Sequence, residues 1–162
     1  MNLYMPYQKN IRCSLFAILV LVSQNSYSWY PEYGSEISGV GSYDTTERHF
    51  ILIAFNRINH CESASLMLDG SLYNYSQPGN FNSTIVKLMV DRYQSWTLSF
   101  DILESEYWLP RPRVLRQKIS ADLLKQLRYG NMLTVSIGKH KYIWSLAGSN
   151  LAIKSAYKAC VE

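Results

Sequence analysis

The chain has 162 residues, close to half of them apolar and 17% charged, with a formal charge of +4 and a sequence pI near 8.9. That balance excludes a disordered or low-complexity chain, and the length suits one domain able to bury a core without a structural metal.

The first 28 residues read as a cleavable secretory signal. Residues 1–12 are polar and carry only the positive charges of Lys9 and Arg12, and residues 14–22 (SLFAILVLV) form an apolar run. Ser26 and Ser28 place small side chains where a signal peptidase reads, so cleavage is expected before Trp29. The apolar run is far short of the roughly 20 residues that a membrane-crossing helix needs. Cys13 precedes that run, so it is no lipid-attachment site. Loss of Lys9 and Arg12 lowers the formal charge from +4 to +2. No second apolar run has spanning length, and a charge of +2 makes no strong case for nucleic acid, so neither membrane nor nucleic acid is expected as a partner of the mature chain. Cys61 and Cys160 remain, and an even pair in an exported chain is expected to form a disulfide that rings most of the domain.

Residues 29–41 (WYPEYGSEISGVG), rich in Gly, Ser and aromatics, read as an irregular lead-in. Residues 49–57 (HFILIAFNR) predict the first core strand, 63–68 (SASLML) its partner, and Asp69-Gly70 a turn. Residues 72–83 (LYNYSQPGNFNS) predict a polar loop, with formal glycosylation acceptors at Asn74 and Asn82. Strict alternation follows, with Val86, Leu88 and Val90 on one face of 84–92, and Trp96, Leu98, Phe100 and Ile102 on one face of 96–103. That period of two marks strands with one face on a core and one in water. Residues 114–119 offer a further strand. Ser120 is placed to cap a helix over 121–129, with Asp122 in its first turn and Gly130 just beyond its end. Residues 132–137 and 142–146 predict a hairpin about Gly138-Lys139, and Ser149 is placed to cap a closing helix through Ala159. The expected fold is mainly β: an antiparallel β-sandwich or partial barrel of about six to eight strands with two short helices, closed by one disulfide, in a single domain over 29–162.

Chemical motifs are sparse. His60 and Cys61 are adjacent, and neighbours on a strand point to opposite faces, so no thiolate–imidazole pair is expected. His49, His60 and His140 lack ligand spacing, so neither metal nor cofactor is expected. Asp101, Glu104 and Glu106 are the one place for a pair of hydrolytic carboxylates, although a wet strand face and a solvated turn explain them more simply. Arg111, Arg113, Arg116 and Lys118 form the densest positive run, read as a solvated edge strand or as a dock for an acidic partner or polyanion. Aromatic residues crowd the segments assigned to loops. Tyr and Trp bury large area at low entropic cost. The residues expected to meet a protein partner are therefore Tyr73, Tyr75, Phe81, Tyr107 and Trp108, with Arg111 and Arg113.

Residues 142–160 (YIWSLAGSNLAIKSAYKAC) end a strand with Trp-Ser-Leu-x-Gly, then begin a short helix with Ala-Ile and a late cysteine. This segment resembles the close of bacterial periplasmic proteins of the invasion-associated locus B family and similar secretion-accessory proteins. The resemblance implies a signal-bearing β-sandwich without established catalytic residues, periplasmic or secreted. It does not extend to further cysteines or an early Trp–Cys pattern, and it carries no residue assignment. The expected function is a non-catalytic protein-binding module in envelope, secretion or virulence processes, not an enzyme. Two alternatives stay open. One is an inhibitor or immunity protein that plugs a toxin or hydrolase with the loop over 72–83; the other is an envelope hydrolase using Asp101, Glu104 or Glu106.

Overall fold

A computed structural model of the chain describes residues 29–72, 82–104 and 113–162. Among these, nine strands form one antiparallel sheet: β1 (Tyr30–Tyr33), β2 (Ile37–Tyr43), β3 (Phe50–Asn56), β4 (Ala64–Asp69), β5 (Ser83–Val90), β6 (Ser95–Glu104), β7 (Arg113–Lys118), β8 (Met132–Ile137) and β9 (His140–Ser145). Their spatial order is β1-β2-β3-β4-β7-β6-β5-β8-β9. Helix α1 (Ala121–Tyr129) follows β7, and helix α2 (Ser149–Val161) ends the chain. No helix among the described residues is long and apolar enough to cross a membrane.

The sheet is open but curled, as expected of a sandwich or partial barrel. The turn after β2 reaches the far edge strand, where the Thr45 N–H donates to the Ile143 carbonyl at 2.8 Å. Curling lets the inward faces of distant strands share one core: Ile51, Leu66, Leu88, Phe100, Leu115, Leu133 and Trp144 are all fully buried, and α1 adds Leu123 and Leu127. The alternation in β5 and β6 holds, with Val86, Leu88, Val90 and Phe100 buried.

Residues 29–41 are not an irregular lead-in. They form β1 and most of β2, paired from Tyr30↔Gly41 to Tyr33↔Ser38. The loop-like composition serves close approach. On the outward face, a Cβ at Gly41 would collide with the Phe50 ring, and one at Gly39 would stand 2.8 Å from the Ile53 carbonyl oxygen. On the inward face, the buried Ser38 hydroxyl donates to the Ala156 carbonyl of α2 at 2.8 Å. Small residues here let a helix and large neighbouring side chains press against the strand.

The helix ends divide in the same way. Ser120 caps α1 as expected, its Oγ accepting the Leu123 N–H at 3.2 Å. Gly130 follows with φ −76°, so no left-handed turn requires it; a Cβ there would collide with Val90 and stand 2.9 Å from the Gln126 carbonyl. Ser149 is not the cap of α2. Gly148, at φ 84°, holds that position, and the buried Ser149 hydroxyl donates to the Leu127 carbonyl at 2.8 Å, tying the start of α2 to the end of α1.

Cys61 and Cys160 are bridged across a sequence separation of 99, joining the turn after β3 to the end of α2. His60 and Cys61 lie in that turn with φ of 55° and 62°, not on a strand. The opposite-face argument therefore does not apply to them. The bridge itself takes up the Cys61 thiol.

Candidate functional site

Tyr73, Tyr75, Phe81, Tyr107, Trp108 and Arg111 lie outside the described residues, as do Glu106 and most of the loop over 72–83. Arg113 opens β7 and stands 3.6 Å from Glu104, its partner in register. Asp101 and Glu104 are three positions apart on β6, so they point to opposite faces and do not converge as two hydrolytic carboxylates would.

The basic residues of β7 need a new explanation, because β7 is not an edge strand. It is the fifth of nine strands, between β4 and β6. Arg116 and Lys118 share its outward face, two positions apart. The β6–β7 ladder covers only Asp101↔Arg116 to Glu104↔Arg113. Beyond it, β7 continues against β4 as far as Ser65↔Lys118, whereas β6 continues against β5. The two halves of the sheet therefore part just past Asp101 and Arg116. At the parting lies an open groove of about 380 Å³, lined by Asn56, Asn59, Ser63, Ser65, Asp101, Leu103, Arg116, Gln117 and Lys118.

Four of these nine, Asn56, Asn59, Ser63 and Ser65, come to the groove from the turn between β3 and β4 and from the strand ends beside it. The Asn56 side chain accepts the Ile58 N–H at 2.8 Å, and the Asn59 amide donates to the Ser63 hydroxyl at 3.3 Å, so the turn's polar side chains are locally fixed. Arg116 and Lys118 were visible in sequence as part of a basic run. Asn56, Asn59, Ser63 and Ser65 were not. An asparagine-rich turn after a core strand was their only signal, and it reads as ordinary turn chemistry.

A second polar cluster lies at the other end of β3. The Asp44 carboxylate, 2% exposed, accepts N–H groups from Arg48 at 2.9 Å and His49 at 3.1 Å, and the Thr46 hydroxyl at 2.8 Å. His49 meets the Tyr142 ring edge-on at 4.9 Å. The His49 Nδ1 also lies 3.3 Å from the Ser71 hydroxyl and 4.0 Å from Asp69. Serine and aspartate thus approach the same ring nitrogen, whereas a catalytic triad uses both, one for each partner. Among the described residues no three metal-ligating side chains converge.

The Asp44 cluster sets a pH dependence. Burial alone pushes the Asp44 carboxyl upward, but the Arg48 N–H, the Thr46 hydroxyl, the His49 N–H and the His49 charge outweigh it and hold the group below its ordinary 3.8. A depressed folded value stabilises the fold above the unfolded value and loses that contribution as pH falls through the folded one. Urea midpoints are therefore expected to stay level from about pH 7 to 5 and to fall below about pH 4. Asp44→Asn is expected to start lower at neutral pH and to fall less steeply in acid. A variant with the parent's acid slope would show that Asp44 does not set it.

No family model matches the chain, and no curated protein matches it by sequence. Among solved structures, the crystal structure of invasion associated protein B from Bartonella henselae is similar, with a TM-score of 0.55 and 16% identity over 83% of this chain and 94% of that one. A likeness at that identity shows a shared fold.

Proposed function

We propose that this chain is an exported, non-catalytic β-domain that acts by binding a protein partner in envelope, secretion or virulence processes of a bacterium. The observation that carries the reading is the fold shared with invasion associated protein B of Bartonella henselae over nearly the whole of that protein. The leader-like residues 1–28 support export. The Cys61–Cys160 bridge fits an oxidising compartment, since such bonds are rare where thiols are kept reduced. The polar, outward-facing groove at the sheet's parting supports the binding half of the reading.

The test is expression of the full chain in a Gram-negative host. The domain is expected outside the cytoplasm, beginning at Trp29, bridged, and co-purifying with one specific envelope or host protein. Cytoplasmic recovery with residue 1 attached and both thiols free would overturn the export half. Absence of any specific partner would overturn the binding half.

A further inference from the structure

We infer that the groove at the parting of β6 and β7 is a docking site for an extended acidic segment of the partner, with Arg116 and Lys118 taking its carboxylates. This rests on the protein-binding reading above and names the chemistry of that partner. Like charges two apart on one face of a central strand repel each other, and among the described residues the one carboxylate lining the groove with them is Asp101. Among the described residues Arg116 forms no ion pair with Asp101, its partner in register, and Lys118 forms none at all. The two cations outnumber that carboxylate, so the groove's lining keeps a net positive charge for a ligand.

The spacing selects the ligand's form. Alternate residues of a strand stand about 6.7 Å apart, so Arg116 and Lys118 match carboxylates at alternate positions of another extended chain. The planar guanidinium takes a carboxylate in a two-pronged contact, and the ammonium acts as a point charge. Asn59, Ser63 and Ser65 at the Lys118 end supply amide and hydroxyl groups suited to peptide N–H and C=O. Asp101 at the Arg116 end argues against a dense polyanion, because a run of phosphates or sulfates would press one charge against that carboxylate. An acidic peptide with a neutral residue at that point avoids the repulsion.

The probe is a short synthetic peptide with glutamate at every second position, titrated by fluorescence anisotropy at low salt into the full chain purified in its bridged form. Saturable binding is expected, weakened about tenfold or more by Arg116→Glu and by Lys118→Glu, and tightened by Asp101→Asn. Each variant's unfolding midpoint is measured alongside. Lys118→Glu, at an exposed side chain, serves if Arg116→Glu fails to fold. Equal binding of the glutamine version of the peptide would overturn the inference, as would unchanged binding by folded charge-reversed protein. More effective competition by heparin or polyphosphate than by the peptide would overturn the choice of ligand. If Arg116→Glu still captures the partner while the parent ignores the glutamate peptide, the groove assignment falls and the protein-binding reading stands. If the groove binds the peptide but no partner is captured, the protein-binding reading falls and the groove stands.

Discussion

Replacing Cys61 and Cys160 together with alanine is expected to lower the unfolding free energy by about 4 kcal/mol. The size follows from the ring. The bridge spans a sequence separation of 99, and closing a loop of about that length removes chain entropy from the unfolded state worth on the order of 4–5 kcal/mol. The folded state loses less, because neighbouring contacts hold the same two elements together. The Arg57 guanidinium donates to the Ala159 carbonyl at 2.8 Å, and the Phe55 and Tyr157 rings meet edge-on at 5.5 Å. Either single cysteine variant should therefore cost about as much as the double, since each opens the ring. Urea unfolding of parent and variants, with and without reductant, checks this. The reduced parent should match the variants. A loss below about 1 kcal/mol would mean that the unfolded chain is already compact enough to make the ring irrelevant.

The parts legible in sequence were those where one face of an element meets the core. In β3, β5 and β6 the apolar residues alternate or run together because the curled sheet buries its inner face along their length. Helix α1 was legible through Ser120, whose hydroxyl does the local capping that its type suggests. The bridge was legible because Cys13 falls in the leader-like segment expected to be removed, which leaves a pair. What was hidden depends on contacts far apart in the chain. In β2, Gly39 and Gly41 look like loop residues until Phe50 and Leu52 are seen leaning across them. Ser149 looks like a cap, but its partner is a carbonyl on α1. The central position of β7 depends on its pairing with β4, from which it is separated by two strands in sequence, so its charges looked like those of an edge. The groove was least legible of all, because it exists only where β6 and β7 stop pairing. Asp44 lay in between: the run Asp44-Thr45-Thr46 carries the local hydrogen-bonding chemistry of a turn anchor, but nothing local shows that His49 completes it.

Trp144→Ala is expected to cost about 3–5 kcal/mol, whereas Trp144→Phe should cost about 1 kcal/mol or less. Trp144 is the largest of the fully buried side chains, projecting from edge strand β9 beside its register partner Leu133. An edge strand has a neighbour on one side only, so its attachment depends heavily on what it inserts into the core. Removing the indole empties a site that the surrounding strands cannot collapse into without uncurling the sheet, so the cavity cost adds to the lost burial. The phenylalanine variant separates size from polarity. Among the described residues the Trp144 Nε1–H has no hydrogen-bond partner, although it is buried. A desolvated, unpaired N–H costs about 1–3 kcal/mol, so phenylalanine sheds that penalty while keeping most of the ring volume. Denaturation followed by far-ultraviolet circular dichroism avoids relying on the fluorescence that the substitution removes. Equal losses for both variants would show that the indole N–H is hydrogen-bonded. A loss near 1 kcal/mol for alanine would show that β9 is held mainly by its ladder to β8 and by the Thr45–Ile143 contact that brings the curled sheet back upon itself.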